Sequence, residues 1–113
     1  MSKRPEYPLE ITINGRKLDR VIIDQHYLEN HGASMNDEII LNLVKTLDGK
    51  KFPPERVQDD FEYFTVEPAY LQDKAYRIVL VLCLVDDYLG VINAFRVKGR
   101  NIYDKISQRK RIK

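Results

Sequence analysis

Two arginines stand at the outer ends of the two most apolar stretches of the chain, and their spacing could bring them together. Arg77 precedes Ile78 to Val85, eight apolar residues without a break, and Arg96 closes the stretch that begins at Tyr88 after Asp86-Asp87. The break is too short for a helical crossover, so two strands here form an antiparallel hairpin. With an even number of loop residues Leu84 lies opposite Leu89, and counting back sets Arg77 directly opposite Arg96. Side chains alternate along a strand, so Arg77, Arg96 and Lys98 then share one face. Like charges directly opposed repel. Such a pair calls for a carboxylate from the protein or an anion from outside, and phosphate suits guanidinium groups well.

Basic residues continue beyond this pair with Lys98, Arg100, Arg109, Lys110, Arg111 and Lys113. The eighteen residues from Arg96 onward hold eight of the nineteen Lys and Arg. Seven tyrosines and four phenylalanines accompany them, and Tyr63, Tyr76 and Tyr103 fall nearest to strand edges or to the basic tail. Cations beside aromatic rings on a sheet suit single-stranded RNA, the first neutralising phosphates and the second stacking on bases. A solvated charged face with the aromatics in the core is the plainer alternative, and spacing alone leaves the two even.

Other chemistry finds less support. His26 and His31 are the only histidines. Their five-residue spacing misses the i, i+4 pattern of zinc ligands on one helical face, so no metal site is expected. Each is more simply a surface or helix-cap residue, and the functional reading is a proton carrier near neutrality. Cys83 lies inside the apolar run and reads as a small core residue. No serine sits on a glycine-flanked turn, and no glycine loop could cradle a phosphate. Asp86-Asp87 suits a hairpin loop better than a paired-carboxylate site.

The elements that must position these residues follow from turn signals and periodicity. Leu9, Ile11 and Ile13 alternate before Asn14-Gly15, the pair favoured in type I′ hairpin turns, and a return strand runs from Arg16 to about Ile23. Asp24 can cap a short helix, Gln25 to His31, closed by Gly32. Ser34 can cap a longer helix from Met35 to about Asp48, with Asp37 at the capping-box spacing and Gly49 as its stop. Ile39, Ile40, Leu43, Val44 and Leu47 form its apolar stripe. Lys50 to Gln58, with Pro53-Pro54, reads as a loop. Phe61 to Val66 is a strand with Phe61, Tyr63 and Thr65 on one side, ended or bent at Glu67-Pro68. Gln72 to Lys74 leads into the central hairpin, whose apolar first strand is expected to be covered on both faces. The segment after Lys98 suits a short helix with Ile102 and Ile106 inward, then a basic tail.

At 113 residues, 43% of them apolar and 32% charged, the chain suits one soluble domain with one core. The expected fold class is α+β: an N-terminal β-hairpin, one short and one longer helix on a mostly antiparallel sheet, and a basic C-terminal segment. A lone cysteine allows no internal disulfide and suits a reducing, cytoplasmic setting. No stretch has the length of a membrane span, and the polar start SKRPEYP lacks a signal peptide's apolar core.

The order of parts, a helical segment before a compact antiparallel sheet whose later strands carry arginines, resembles the small ribonuclease toxins of the RelE and BrnT type, whose folds relate to barnase-like nucleases. The stretch LENHGASMNDEI (28–39) is similar to the BrnT pattern of a His-Gly pair followed by a Ser that opens an acidic helix start. Tyr76-Arg77 and VINAFRVKGRNIYDKI (91–106) are similar to the last strands and basic segment of that group. The resemblance spans roughly residues 24–106. It implies a metal-independent, cofactor-free RNase of a bacterial toxin–antitoxin system, acting on mRNA with the ribosome as a further partner and neutralised by a cognate antitoxin. Carried over by position, Arg77 and Arg96 bind the scissile phosphate, His26 or His31 transfers a proton, and Tyr103 is a second proton carrier. Lys98, Arg100, Tyr63 and Tyr76 then bind substrate. Two features depart from the pattern: the added hairpin Leu9 to Ile23, and Glu62 and Glu67 where basic residues are common. A non-catalytic protein- or RNA-interaction module, such as an immunity protein or complex subunit, is the alternative. A homodimer through the N-terminal hairpin or a sheet edge is compatible with either.

Overall fold

A computed structural model describes residues 4–32 and 35–97. Among the described residues the elements run β1 (Glu6–Ile13), β2 (Arg16–Ile23), α1 (Tyr27–His31), α2 (Asp37–Lys45), β3 (Arg56–Gln58), β4 (Phe61–Leu71), β5 (Lys74–Cys83) and β6 (Tyr88–Arg96). The strands form one sheet in the order β1-β2-β6-β5-β4-β3. Every neighbouring pair is antiparallel except β2 and β6, which run parallel. The fold is thus mixed α and β, with two short helices and one six-stranded sheet.

The first hairpin forms where the Asn14-Gly15 signal places it, with both turn residues at positive φ, 55° and 76°. Asn14 also reaches across the fold: its side-chain oxygen accepts from the Phe52 N–H at 2.5 Å. The turn between β4 and β5 uses Gln72 and Asp73 at φ 51° and 65°. Gly49, at φ 81°, ends the turns that follow α2.

Several boundaries differ from the sequence expectation for local reasons. Asn36, not Ser34, is the N-cap of α2, and its side chain accepts from the Ile39 N–H. Gly32 follows α1 in the right-handed helical region, so its freedom at positive φ is not used. The expected loop before Gln58 ends in a strand, because Arg56–Gln58 pairs with Phe61–Tyr63 along the sheet edge. Glu67-Pro68 bends β4 without ending it: the register shifts between Val66 and Ala69, and pairing then continues to Leu71.

Both helices contribute to the core on one face of the sheet. Ile40, Leu43 and Val44 of α2 meet Phe64, Ile78, Leu80, Leu82, Leu89 and Val91, all fully or almost fully buried. The apolar run in β5 is therefore sealed on this face only. On the other face Val79 and Val81 remain half-buried, which corrects the expectation of cover on both sides.

A carboxylate ties the helices to the first strand. Asp37, at the start of α2, accepts from the Tyr27 hydroxyl at 2.6 Å, the Tyr7 hydroxyl at 2.5 Å and the Gln25 amide at 3.1 Å. Burial acts to raise the Asp37 pKa, but the hydrogen bonds from Tyr27, Tyr7 and Gln25 outweigh it and hold the carboxyl below its ordinary value. The Tyr27 phenol is pushed up by burial and by the same carboxylate.

Candidate nucleic-acid interface

Among the described residues the face of the sheet away from the helices is open, and one row of residues crosses it from edge to edge. Arg56 pairs with Tyr63, Tyr63 with Val81, Val81 with Gly90, Gly90 with Ile22 and Ile22 with Glu6. Directly paired residues point to the same face, so this row alternates a cation, a ring, aliphatic groups and a carboxylate, with a gap at Gly90. The gap is already partly used. A Cβ on Gly90 would lie 2.5 Å from Val81 Cγ1 and 3.8 Å from Tyr88 Cε1. The Val81 approach is the one that requires glycine, since 3.8 Å to Tyr88 is ordinary contact.

A pocket of about 410 Å³ opens over this gap, lined by Phe61, Tyr63 and Tyr88, by aliphatic groups including Ile22, Val81 and Ile92, and by Arg4, Glu6 and Asp24. Two of its rings carry a guanidinium. Arg56 lies 4.4 Å from the Tyr63 centroid and Arg20 lies 5.4 Å from that of Tyr88. Arg20 is further held by Asp86 at 2.6 Å and Asp19 at 2.9 Å, which raise its pKa above its ordinary value. The Tyr88 phenol is pushed up by burial first and by the adjacent Cys83 second. Arg4 reaches Asp24 at 3.5 Å, with its own side chain 70% exposed.

The sequence expectation about the arginine pair is overturned here. Near its loop the central hairpin keeps the even loop parity, but Leu82, not the expected Leu84, lies opposite Leu89. Between Val79 and Leu80 the register then shifts: Val79 faces Asn93 and Leu80 faces Val91, leaving Ile92 as one extra residue in β6. One inserted residue exchanges the faces of everything beyond it. Arg77 consequently pairs with Phe95 and points to the open face, while Arg96 pairs with the buried Tyr76 and lies on the helix side. The repulsion inferred between the two guanidinium groups does not arise. Arg77 instead donates to Glu67 Oε1 at 2.7 Å, with its side chain 41% exposed.

The remaining expected site residues separate. Tyr63 stands on the open face, whereas Tyr76 is 4% exposed in the core and has no ring surface to offer a substrate. His26 is solvent-facing and sets Nδ1 against the Glu29 carboxylate. No hydrogen bond or ion pair among the described residues joins it to Arg77 or Arg96. His31 ends α1, and nothing is described of its side chain. Lys98, Arg100, Tyr103 and the rest of the basic segment lie outside the described residues. Cys83 is buried, as expected.

Sequence reasoning missed Tyr88, Gly90, Ile22 and Glu6 as neighbours. The signal was weak: only the parallel pairing of β2 with β6 brings the first hairpin beside the central one. Among the described residues no group of three His, Cys, Asp or Glu side chains could hold a metal ion, and no helix there is long and apolar enough to cross a membrane. Compared with known proteins, the chain matches no family model, no curated protein and no solved structure.

Proposed function

We propose that the chain binds single-stranded RNA across the open face of its sheet. The observation that carries this reading is the set of half-buried rings, Phe61, Tyr63 and Tyr88, around one pocket on a face that carries no helix among the described residues and also presents Arg56 and Arg77. Rings on a sheet surface offer stacking platforms to unpaired bases, and guanidinium groups beside them meet the connecting phosphates. The basic segment from Lys98 onward follows β6 in the sequence, and its charge adds long-range attraction.

Fluorescence anisotropy with a labelled single-stranded RNA at two salt concentrations tests the reading. Affinity should fall steeply as salt rises, and Tyr63→Ala should weaken binding by roughly tenfold through lost stacking. Absence of binding at low salt overturns it and leaves the open apolar face to a protein partner, as in an immunity protein or complex subunit.

A second reading adds cleavage, with Arg77 and Glu67 on the same face as its candidate groups, although the ion pair between them is what a non-catalytic module with internally neutralised arginines would carry. In a metal-independent cleavage a base takes the 2′-hydroxyl proton, that oxygen attacks phosphorus, the P–O5′ bond breaks, and the 5′-oxygen takes a proton from solvent water. Glu67 has the acceptor chemistry for the first step, and a fixed guanidinium such as Arg77 stabilises charge developing on the phosphate oxygens. Here a cognate antitoxin would act by covering this face. End-labelled RNA should then give products with 2′,3′-cyclic phosphate ends that vanish in Arg77→Ala and in Glu67→Gln. Intact RNA at saturating protein would leave binding alone.

A further inference from the structure

We propose that the pocket over Gly90 is a base subsite that prefers guanine, an inference that rests on the RNA reading and goes beyond it. Its floor and walls are mostly apolar: Ile22 beside Gly90, Val81 leaning over the glycine and the Tyr88 ring alongside. A volume of about 410 Å³ exceeds one purine ring system and leaves room for part of its ribose. A flat, polarisable, weakly hydrated ring is what such walls accept.

The polar lining selects which ring. At the β1 and β2 side it consists of Glu6 and Asp24, with Arg4 at the rim. Asp24 is occupied: Oδ1 accepts from the His26 N–H at 2.8 Å and Oδ2 faces Arg4. Glu6 is held only loosely, 3.9 Å from Arg20 Nε, with its side chain 60% exposed. Glu6 is also the last member of the row through Tyr63, Val81, Gly90 and Ile22, two strands or about 10 Å from the glycine. That is the reach of a purine lying flat over the gap.

An ionised carboxylate only accepts hydrogen bonds. The Watson–Crick edge of guanine offers two adjacent donors, N1–H and the N2 amino group, which a carboxylate meets in parallel. Adenine and cytosine each set an acceptor nitrogen beside their amino donor, which a carboxylate repels. Uracil offers one donor between two carbonyls. Arg4, 70% exposed at the rim, can meet the phosphate of the same nucleotide by exchanging its 3.5 Å contact with Asp24.

The test uses uridine oligonucleotides of about ten residues, long enough to span one binding sheet, carrying a single central guanine, adenine, cytosine or no substitution. A lone guanine avoids self-association of guanine runs. The guanine oligonucleotide should bind roughly tenfold more tightly than the others, as a two-bond base contact gives. Glu6→Gln, an exposed edge-strand change, should reduce that preference, measured as the ratio to the all-uridine oligonucleotide bound by the same variant, to about twofold or less. Equal binding of all four oligonucleotides overturns the subsite and leaves RNA binding intact. A guanine preference that survives Glu6→Gln places recognition elsewhere and equally overturns it. Failure of every oligonucleotide to bind at low salt removes the RNA reading and the subsite together.

Discussion

Asp37 is the residue on which the helices depend, because Tyr7 of β1, Gln25 just before α1 and Tyr27 at its start all donate to it. Hydrogen bonds to an ionised group contribute more than neutral ones. Asp37→Ala should therefore cost roughly 2 kcal/mol in chemical denaturation. The pH dependence follows from the depressed carboxyl. Its contribution is fully present above the ordinary carboxylate range, and it is lost as pH falls through the lower folded value. Asp37→Asn should flatten that acid limb of a stability–pH curve, and an unchanged limb would show that other carboxylates control it. Tyr27 acts in the opposite direction: its raised phenol favours the folded state below the ordinary tyrosine value and ceases to do so at strongly alkaline pH. Neither tyrosine was visible as an Asp37 partner in the sequence, since Tyr7 is thirty residues away.

At Gly90 the close approach is to Val81 Cγ1, an inflexible branched side chain in the neighbouring strand. Gly90→Ala should destabilise by about 1–3 kcal/mol, the usual cost of forcing extra volume into packed surroundings. Val81→Ala should recover part of that loss, so a double-mutant cycle by thermal or chemical unfolding should show coupling. Additive effects would mean that the backbone, not Val81, yields.

Among the elements, β6 shows how far periodicity carries and where it stops. The hairpin with β5, its even loop parity and the alternation of Phe61, Tyr63 and Thr65 in β4 were all legible, because they depend on neighbours in sequence. The bulge at Ile92 was not. An extra residue in a run of strand formers leaves no compositional mark, and its place is set by packing on both sides of β6. The consequence reaches the site directly, since it parts Arg77 from Arg96. Arg77→Ala should weaken RNA binding severalfold through a lost phosphate contact, whereas Arg96→Ala should change it by no more than about twofold. Equal losses in an anisotropy titration would place RNA on both faces of the sheet. The strand β3 was missed for a related reason: three exposed residues acquire strand geometry only by pairing with β4.

Across the whole molecule, charge is divided along the chain. Residues 4–97 hold eleven Lys and Arg against sixteen Asp and Glu, a net −5, whereas residues 98–113 hold seven against one, a net +6. The net of +2 conceals this polarity. An acidic body with rings on its open face cannot draw RNA from a distance, while a basic segment can. A chain ending at Val97 should therefore bind RNA more weakly and with a shallower dependence of affinity on salt. An unchanged slope would assign the phosphate contacts to the sheet itself.

The parallel seam between β2 and β6 also dictates when the sheet can exist. Ile23 and its strand wait for a partner that begins at Tyr88, so more than half of the chain must be synthesised before the first hairpin gains its inner neighbour. A lone two-stranded ribbon is marginal in water, and distant pairings close slowly. Until Tyr88–Arg96 leaves the ribosome, the nascent chain holds two separate ribbons and no floor for a pocket between them.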